Sequence, residues 1–376
     1  MSLLENPTRP VTLRRSGEKT EGAQVSPEWV RISAASAIAL QFRSGRFSRD
    51  FAFGGINLLL NYEDGCRSDC SYCGLARTRP GDYEDKSFIR VEWPLFRTEE
   101  LVDRMAEKES SLTRLCISMV TSPLAYRDTV TITEAIRSKV STPLSILVAP
   151  PTLNRRKLEH FAEIGVDMIG IGLDAVTEEL FRRHRSEVPA GGAGLSWEKY
   201  WSVVNDSRDI FGPWKVNCHT VVGLGETDAE LIDLFFRLRE REIFAYLFCF
   251  NPEPDSRLGQ HPKSSISRWR RIQLAKRLIE EKGYQPRAFD FDSEGSLVNI
   301  DAPREAVEDV VEEGIAFMTD GCPGESGEPG CTRPYGSYRP TESFRDFPFL
   351  PEGPDLALIR GELDLDGLMV QGGSDR

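Results

Sequence analysis

The sequence predicts an α/β protein, a partial (β/α)6 barrel of the TIM type with an N-terminal helical extension and an irregular C-terminal one. Three observations lead there. Short continuous apolar runs recur along the chain, amphipathic stretches separate them in strict alternation, and beyond about residue 300 the rhythm gives way to Gly and Pro. Strands alternating with helices imply a parallel sheet buried on both faces, because each parallel connection needs a crossover.

Residues 1–25 are polar, carry Pro, Arg and Glu without a period, and read as a flexible leader. From Ser26, a capping residue ahead of Pro27 and Glu28, the run WVRISAASAIALQF predicts a helix with an apolar stripe. Strands are expected at 55–62 (GINLLLNY), 114–121 (RLCISMVT), 144–150 (LSILVAP), 168–174 (MIGIGLD), 215–224 (KVNCHTVVGL) and 245–252 (AYLFCFNP). Between them, 154–165 puts Leu158, Phe161, Ala162 and Gly165 on one helical face. The helix expected over 228–242 opens with acidic residues and has Arg near its end, as the helix dipole favours. Six such units fill residues 51 to about 260, and a helix near 265–283 with the segment RAFDFDSEGSLV is expected to extend the barrel. Periodicity leaves open whether it closes into an eight-fold ring.

After residue 300, PREAVEDVVEEGIAF predicts a short helix. The following GCPGESGEPGCTRPYGSYRP has too little apolar content for a core of its own, so it lies on the barrel or binds something. The final QGGSDR reads as a disordered end. The expected organisation is a leader and helix over 1–50, the barrel over 51–300 and a two-cysteine extension over 301–376.

Among 376 residues, 47 Lys and Arg face 59 Asp and Glu, a net charge of −12 that argues against general nucleic-acid binding. A local basic patch such as Arg268-Trp269-Arg270-Arg271 would suit an acidic carrier protein or electron donor. No run of 18 apolar residues exists, so no membrane span is expected. The N-terminus lacks the apolar stretch of a secretory signal, which points to the cytoplasm. There, eight cysteines are metal ligands, catalytic groups or core residues rather than disulfides.

Cys66, Cys70 and Cys73 form Cys-x3-Cys-x2-Cys directly after the first barrel strand, where loops at strand C-terminal ends build sites. Thiolates are the preferred ligands of iron–sulfur clusters, and three of them leave one iron of a four-iron cluster open for catalysis. Zinc would want a fourth ligand, and no His or Cys follows within the next 40 residues.

With this spacing the sequence resembles the radical S-adenosylmethionine (SAM) superfamily. The resemblance implies a barrel of the radical SAM kind, holding a [4Fe-4S] cluster and SAM. The open iron chelates the amino and carboxylate groups of SAM, and reduction releases a 5′-deoxyadenosyl radical that abstracts a hydrogen atom. Tyr72 then matches the aromatic position near the adenine, or else packs the loop. Asp174, in Gly-x-Gly-x-Asp, matches the ribose-contacting Asp of biotin synthase-like enzymes, or else caps a helix over 177–185. Gly223, Gly225 and Glu226 resemble the strand-five motif beside adenine, or form an ordinary turn. Asn251 opens NPEPDS, similar to the last adenine-contact loop, or a Pro-rich turn. No side chain is assigned to the chemical step itself.

Cys116 and Cys218 match two auxiliary-cluster positions of biotin synthase and Arg287 its arginine ligand, but the strand-three cysteine is missing from LSILVAP. Both strand cysteines read equally as buried thiols. Cys322 and Cys331 flank flexible sequence, where metal binding or redox chemistry is the better reading. VRISAASAIAL, Cys66 to Arg77 with FIRVEWP, and the Gly/Pro tail together resemble the archaeal-type two-component lipoyl synthases, except that the family's Cys-x-x-Cys is here Cys-x8-Cys.

The resemblance implies sulfur insertion at an unactivated C–H bond of an octanoyl chain on an acyl-carrier or lipoyl-domain protein, with an auxiliary iron–sulfur cluster as sulfur donor. Its partners would be a companion radical SAM subunit and a ferredoxin or flavodoxin. The alternatives are a rearrangement or C–C cleavage enzyme of the methylornithine synthase or hydrogenase maturation type, and a non-catalytic cluster-carrying subunit.

Overall fold

The computed structural model describes residues 22–83, 86, 88, 91–186 and 195–371. Most of the expected leader, the last five residues of the chain and part of FIRVEWP lie outside them.

The chain runs β1 (Trp29–Ile32), α1 (Ala34–Ala39), β2 (Gly55–Leu60), β3 (Leu95–Arg97), α2 (Thr98–Lys108), β4 (Arg114–Ser118), α3 (Ala125–Arg137), β5 (Leu144–Val148), α4 (Arg155–Glu163) and β6 (Met168–Asp174). It continues α5 (Glu178–Phe181), α6 (Trp197–Phe211), β7 (Val216–Val222), α7 (Asp228–Arg239), β8 (Phe244–Cys249) and α8 (Ile266–Glu280). β9 (Phe289–Phe291), β10 (Leu297–Pro303), α9 (Arg304–Glu313), α10 (Pro354–Leu363) and β11 (Met369–Gln371) complete it.

All six expected barrel strands are present, and β2-β4-β5-β6-β7-β8 pair in parallel in chain order. The sheet is not closed. Residues of opposite parity face its two sides. Ile56, Leu58, Leu115, Ile117, Ile146, Ile169, Ile171, Val216, Cys218 and Leu247 are at most 2% exposed and join the helices in one core. The alternate residues, among them Asn57, Cys116, Ser145, Gly170, Asn217, His219, Tyr246 and Phe248, face the barrel lumen.

The helices end where their sequences direct. Asn154 caps α4 by accepting from the Lys157 amide, and Leu158 and Phe161 are fully buried on its inner face. Gly165 is not on that face; its φ of +91° places it beyond the helix end. Thr227 and Glu230 form a reciprocal capping box on α7.

Three expectations are corrected. The run after Ser26 is not one helix: Trp29–Ile32 is a strand, antiparallel to both β2 and β3. Pairing satisfies the backbone groups along the β2 edge, and this decides against the helical period. Ser33 caps the six-residue helix that remains. Trp29–Ile32, expected as part of a helix outside the barrel, therefore belongs to the barrel sheet itself. Second, RAFDFDSEGSLV does not extend the barrel: β9 and β10 join β11 in a separate three-stranded sheet. Third, Arg268-Trp269-Arg270-Arg271 is no surface patch. Trp269 and Arg270 are buried, and Arg268, Arg270 and Arg271 are paired with Glu226 and Asp228, Glu362, and Asp364.

The open edge at β8 is closed by side chains. The Ala245 amide donates to Glu280 Oε1 (2.8 Å), that of Leu247 to Asp320 Oδ2 (2.8 Å) and that of Cys249 to Ser337 Oγ (3.0 Å). The last two partners belong to the C-terminal extension, which thus lies on the barrel. No described helix is long and apolar enough to cross a membrane.

Candidate active site

The loop after β2 carries Cys66, Cys70 and Cys73 at the C-terminal end of the barrel. A turn with Cys73 N donating to Cys70 O (3.1 Å) draws the last two together, and the Leu75 amide points at Cys73 Sγ (3.4 Å). Neighbouring loops hold it from several sides. Arg67 N donates to Thr121 O (2.9 Å), Ser71 N to His184 O (2.9 Å), and Leu258 N to Ser71 O (2.9 Å). Within it, Asp69 accepts from the Thr78 amide (2.8 Å) and hydroxyl (2.7 Å). His184 Nε2 donates to Leu224 O (2.9 Å), which leaves Nδ1 to accept from the Ser71 hydroxyl (2.9 Å).

Burial pushes the Cys70 thiol up, opposed by the Arg185 guanidinium. It pushes Cys73 up further, and the negative charge of Cys70 adds to this. Clustered thiolates that repel one another need a multiply positive group to stay ionised together. This loop therefore fits an iron–sulfur cluster.

Asp174 ends β6 at a φ of +61° and accepts from the Tyr72 hydroxyl. Thr177, not Asp174, caps α5, so Asp174 is free of that duty. Arg185 lies 3.5 Å from Asp174 Oδ2 and donates to Leu173 O (2.9 Å) and the Tyr200 hydroxyl (3.1 Å). Its guanidinium carbon lies over the Phe181 and Tyr200 rings, 5.2 and 4.7 Å from their centres. Although burial disfavours its charge, Tyr200, Tyr72, Asp174 and Cys70 together hold the Arg185 pKa well above its ordinary value. Arg185 thus joins the cysteine loop to the carboxylate. Sequence reasoning missed it and His184, because RRHRS carries no motif and only folding turns two of its residues inward.

Gly223 and Gly225, at φ of +112° and +109°, form the turn after β7. A side chain at Gly223 would also stand 2.9 Å from Ser264 Oγ. Glu226 holds this turn, accepting from the amides of Gly223 (2.7 Å) and Leu224 (2.8 Å) and from Arg268 (3.0 Å). Asn251 is buried after β8, donating to Glu342 Oε2 (3.0 Å) and accepting from Arg339. Tyr72, Asp174, Gly223, Gly225 and Asn251 therefore all lie at the strand C-terminal end. Tyr72 and Asp174 touch, while Glu226 and Asn251 are engaged by protein partners.

Cys322 and Cys331 enter the barrel from the opposite end. Cys322 packs with Met168 and Tyr246, and Asn217 and Asn57 donate to the two sulfurs (3.5 Å to Cys322, 3.4 Å to Cys331). Cys218 lies on the other face of the sheet, fully buried in the core, and Arg287 is exposed.

A half-open parallel barrel with a three-thiol loop over its strand ends defines a class of cluster-binding α/β barrels. Residues 60–238 match the family model of the radical SAM superfamily, and the chain carries a domain of that superfamily. Its cofactors are a [4Fe-4S] cluster and SAM.

Among solved structures, a crystal structure of HydG, a maturase of [FeFe]-hydrogenase, aligns at 12% identity and a TM-score of 0.43 over 61% of this chain and 51% of that one. The present chain thus spans about half the length of that protein. HydG from Carboxydothermus hydrogenoformans aligns at 16% identity and 0.46, over 90% of this chain and 72% of that one. Streptococcus suis SuiB aligns at 12% and 0.45, over 62% and 48%. Similarity at this level bears on neither reaction nor substrate. No curated protein sequence matches the chain.

Proposed function

We propose that the protein is a radical SAM enzyme that inserts sulfur at an unactivated C–H bond, on an octanoyl chain presented by a carrier protein as in lipoyl synthases. Cys66, Cys70 and Cys73 would hold the [4Fe-4S] cluster. Tyr72, Asp174, Gly223, Gly225 and Asn251 would line the SAM site, with Glu226 shaping its turn. When bound, the cluster and SAM supply the 5′-deoxyadenosyl radical, and an auxiliary cluster supplies sulfide and accepts the electron released as a carbon radical forms its C–S bond.

The chain's own residues prepare this chemistry in three ways. Arg185 offsets negative charge at Cys70 and orients Asp174. The Tyr72–Asp174 contact sets an aromatic face beside a ribose-binding carboxylate. Tyr246 and Phe248, with His219 between them at 6.0 and 5.0 Å, give the lumen a wall suited to an acyl chain.

The observation that carries the sulfur-insertion reading is the meeting of Cys322 and Cys331, from a tail without a core, inside the lumen below the SAM loop. The test is anaerobic reconstitution, then mass spectrometry of products from octanoyl-carrier peptides, with and without a companion subunit and a reduced flavodoxin or ferredoxin. A sulfur-bearing product formed with 5′-deoxyadenosine is expected. 5′-Deoxyadenosine with a rearranged or cleaved product lacking sulfur would favour chemistry of the methylornithine synthase or hydrogenase maturation type. No SAM cleavage by the reduced protein would leave a cluster-carrying subunit.

A further inference from the structure

We infer that Cys116, Cys322 and Cys331 are the three thiolate ligands of a second iron–sulfur cluster, held inside the barrel near the N-terminal ends of its strands. The site stands on its own geometry, and only its use as a sulfur donor rests on the reading above.

The tail is built to deliver two thiols there. Cys331 N donates to Cys322 O (3.0 Å), and Gly324 N donates to Glu328 O (2.7 Å), so the eight residues between the cysteines fold back as a hairpin and bring the two cysteines together. That fold requires Gly321, where any side chain would collide with the Cys331 carbonyl at 1.8 Å. The long Cys-x8-Cys spacing is thereby compatible with one site. The hairpin is pinned to the strand N-terminal ends: Arg114 Nε donates to Pro323 O (2.7 Å) and Thr113 Oγ1 to Gly330 O (2.5 Å).

The third thiol comes from the sheet. In the β2-β4-β5 register, Cys116 sits between Asn57 and Ser145, at one level of the lumen. The Ser145 hydroxyl lies against the sulfurs of both Cys116 and Cys322, while Asn57 donates to Cys331.

The polar surroundings point to a missing partner. Asn57 Oδ1, Asn217 Oδ1 and Arg333 Nε are buried without a hydrogen-bond partner, in residues that are 2%, 0% and 8% exposed. Buried polar atoms are rarely left so unless another group completes the site. Arg333, two residues after Cys331, lies over the Phe248 ring, 5.6 Å from its centre, and so brings a guanidinium into the lumen.

Thiolates suit iron–sulfur clusters and zinc alike. Among the described residues no three His, Cys, Asp or Glu converge on one metal ion. A cluster distributes its thiolates over separate irons, and counting iron, sulfide and zinc separates the two occupants.

The test uses the full chain with Cys66, Cys70 and Cys73 all replaced by Ala, reconstituted anaerobically with iron and sulfide. Iron, sulfide and zinc are counted, and the cluster is typed by Mössbauer and EPR spectroscopy. Retention of a cluster in this variant, and its loss when Cys116→Ser is added while circular dichroism and Tm stay unchanged, is the expected result. Absence of a cluster from a folded triple variant, a zinc-only occupant, or undiminished iron after Cys116→Ser would each overturn the inference. If Cys116→Ser unfolds the chain, Cys331→Ser is measured in its place under the same criterion. A retained, Cys116-dependent cluster with no sulfur in the products would refute sulfur insertion and leave the site standing.

Discussion

Arg185 shows how much a single side chain can carry here. It is buried, set against the rings of Phe181 and Tyr200, and joined to Asp174, with Cys70 in reach. Removing one partner of a buried ion pair strands the other charge, at a cost of roughly 3–5 kcal/mol. Arg185→Met should therefore lower unfolding stability by about 3 kcal/mol in denaturant titration and reduce 5′-deoxyadenosine formation by the reconstituted protein. Asp174→Asn is milder: it keeps the shape and removes the charge that would receive ribose hydroxyls. Hydrogen bonds to charged groups are worth roughly 1.5–3 kcal/mol, so SAM affinity should fall about tenfold to a hundredfold with the iron content unchanged. Unaltered SAM binding by Asp174→Asn would remove it from the site. The cysteine loop was legible from spacing alone because cluster ligation constrains local sequence. Arg185 was not, because its role depends on four neighbours distant in the chain.

At the scale of elements, the C-terminal extension completes the barrel rather than decorating it. Asp320 receives the Leu247 amide and an ion pair from Lys276 at 2.9 Å. Asp320→Ala leaves a strand amide unpaired at the sheet edge and should cost about 2 kcal/mol, measured as a shift in denaturation midpoint. Glu342 fastens the segment to the loop after β8. Partial burial pushes its pKa up, but hydrogen bonds from Lys263, the Arg339 amide and Asn251 prevail and bring it from 4.5 to about 2. A depressed carboxylate pKa stabilises the fold fully above its unfolded value and ceases to do so as pH falls through the folded value. Tail protection from protease should thus weaken between about pH 4.5 and 2, and Glu342→Gln should flatten that dependence. The β1 strand teaches a related lesson. Its sequence carries a helical period, yet the unpaired edge of β2 claimed it, since backbone hydrogen bonding outweighs a weak local preference.

For the whole molecule, the net charge of −12 leaves recognition of an acidic redox partner to local surface, and the basic run Arg268-Trp269-Arg270-Arg271 proved to be internally paired. Metal binding should couple to assembly of the entire chain, because the three thiols proposed for the lumen join a barrel strand to the tail. Ligand bound only by the folded state stabilises it by mass action. Reconstituted protein should melt higher than apoprotein, and proteolysis near residues 321–340 should be faster in the apoprotein and in Cys322→Ser. Equal cleavage rates in all three would show that the tail holds its place without metal.

The sequence by itself determined the alternation of six strands with helices, their order in the sheet and the loop bearing Cys66, Cys70 and Cys73. Those features follow from periodicity and local spacing, which neighbouring residues encode directly. Only the tertiary structure decided that Trp29–Ile32 pairs into the sheet, that β9 and β10 leave it, and that Arg185 faces Asp174. It also decided which cysteines meet: Cys116 faces the lumen with Cys322 and Cys331, while Cys218, matched to it in sequence, faces the helices. A pleated strand alternates its side chains between two faces, and nothing in a run apolar throughout says which face is the lumen until the barrel has curled.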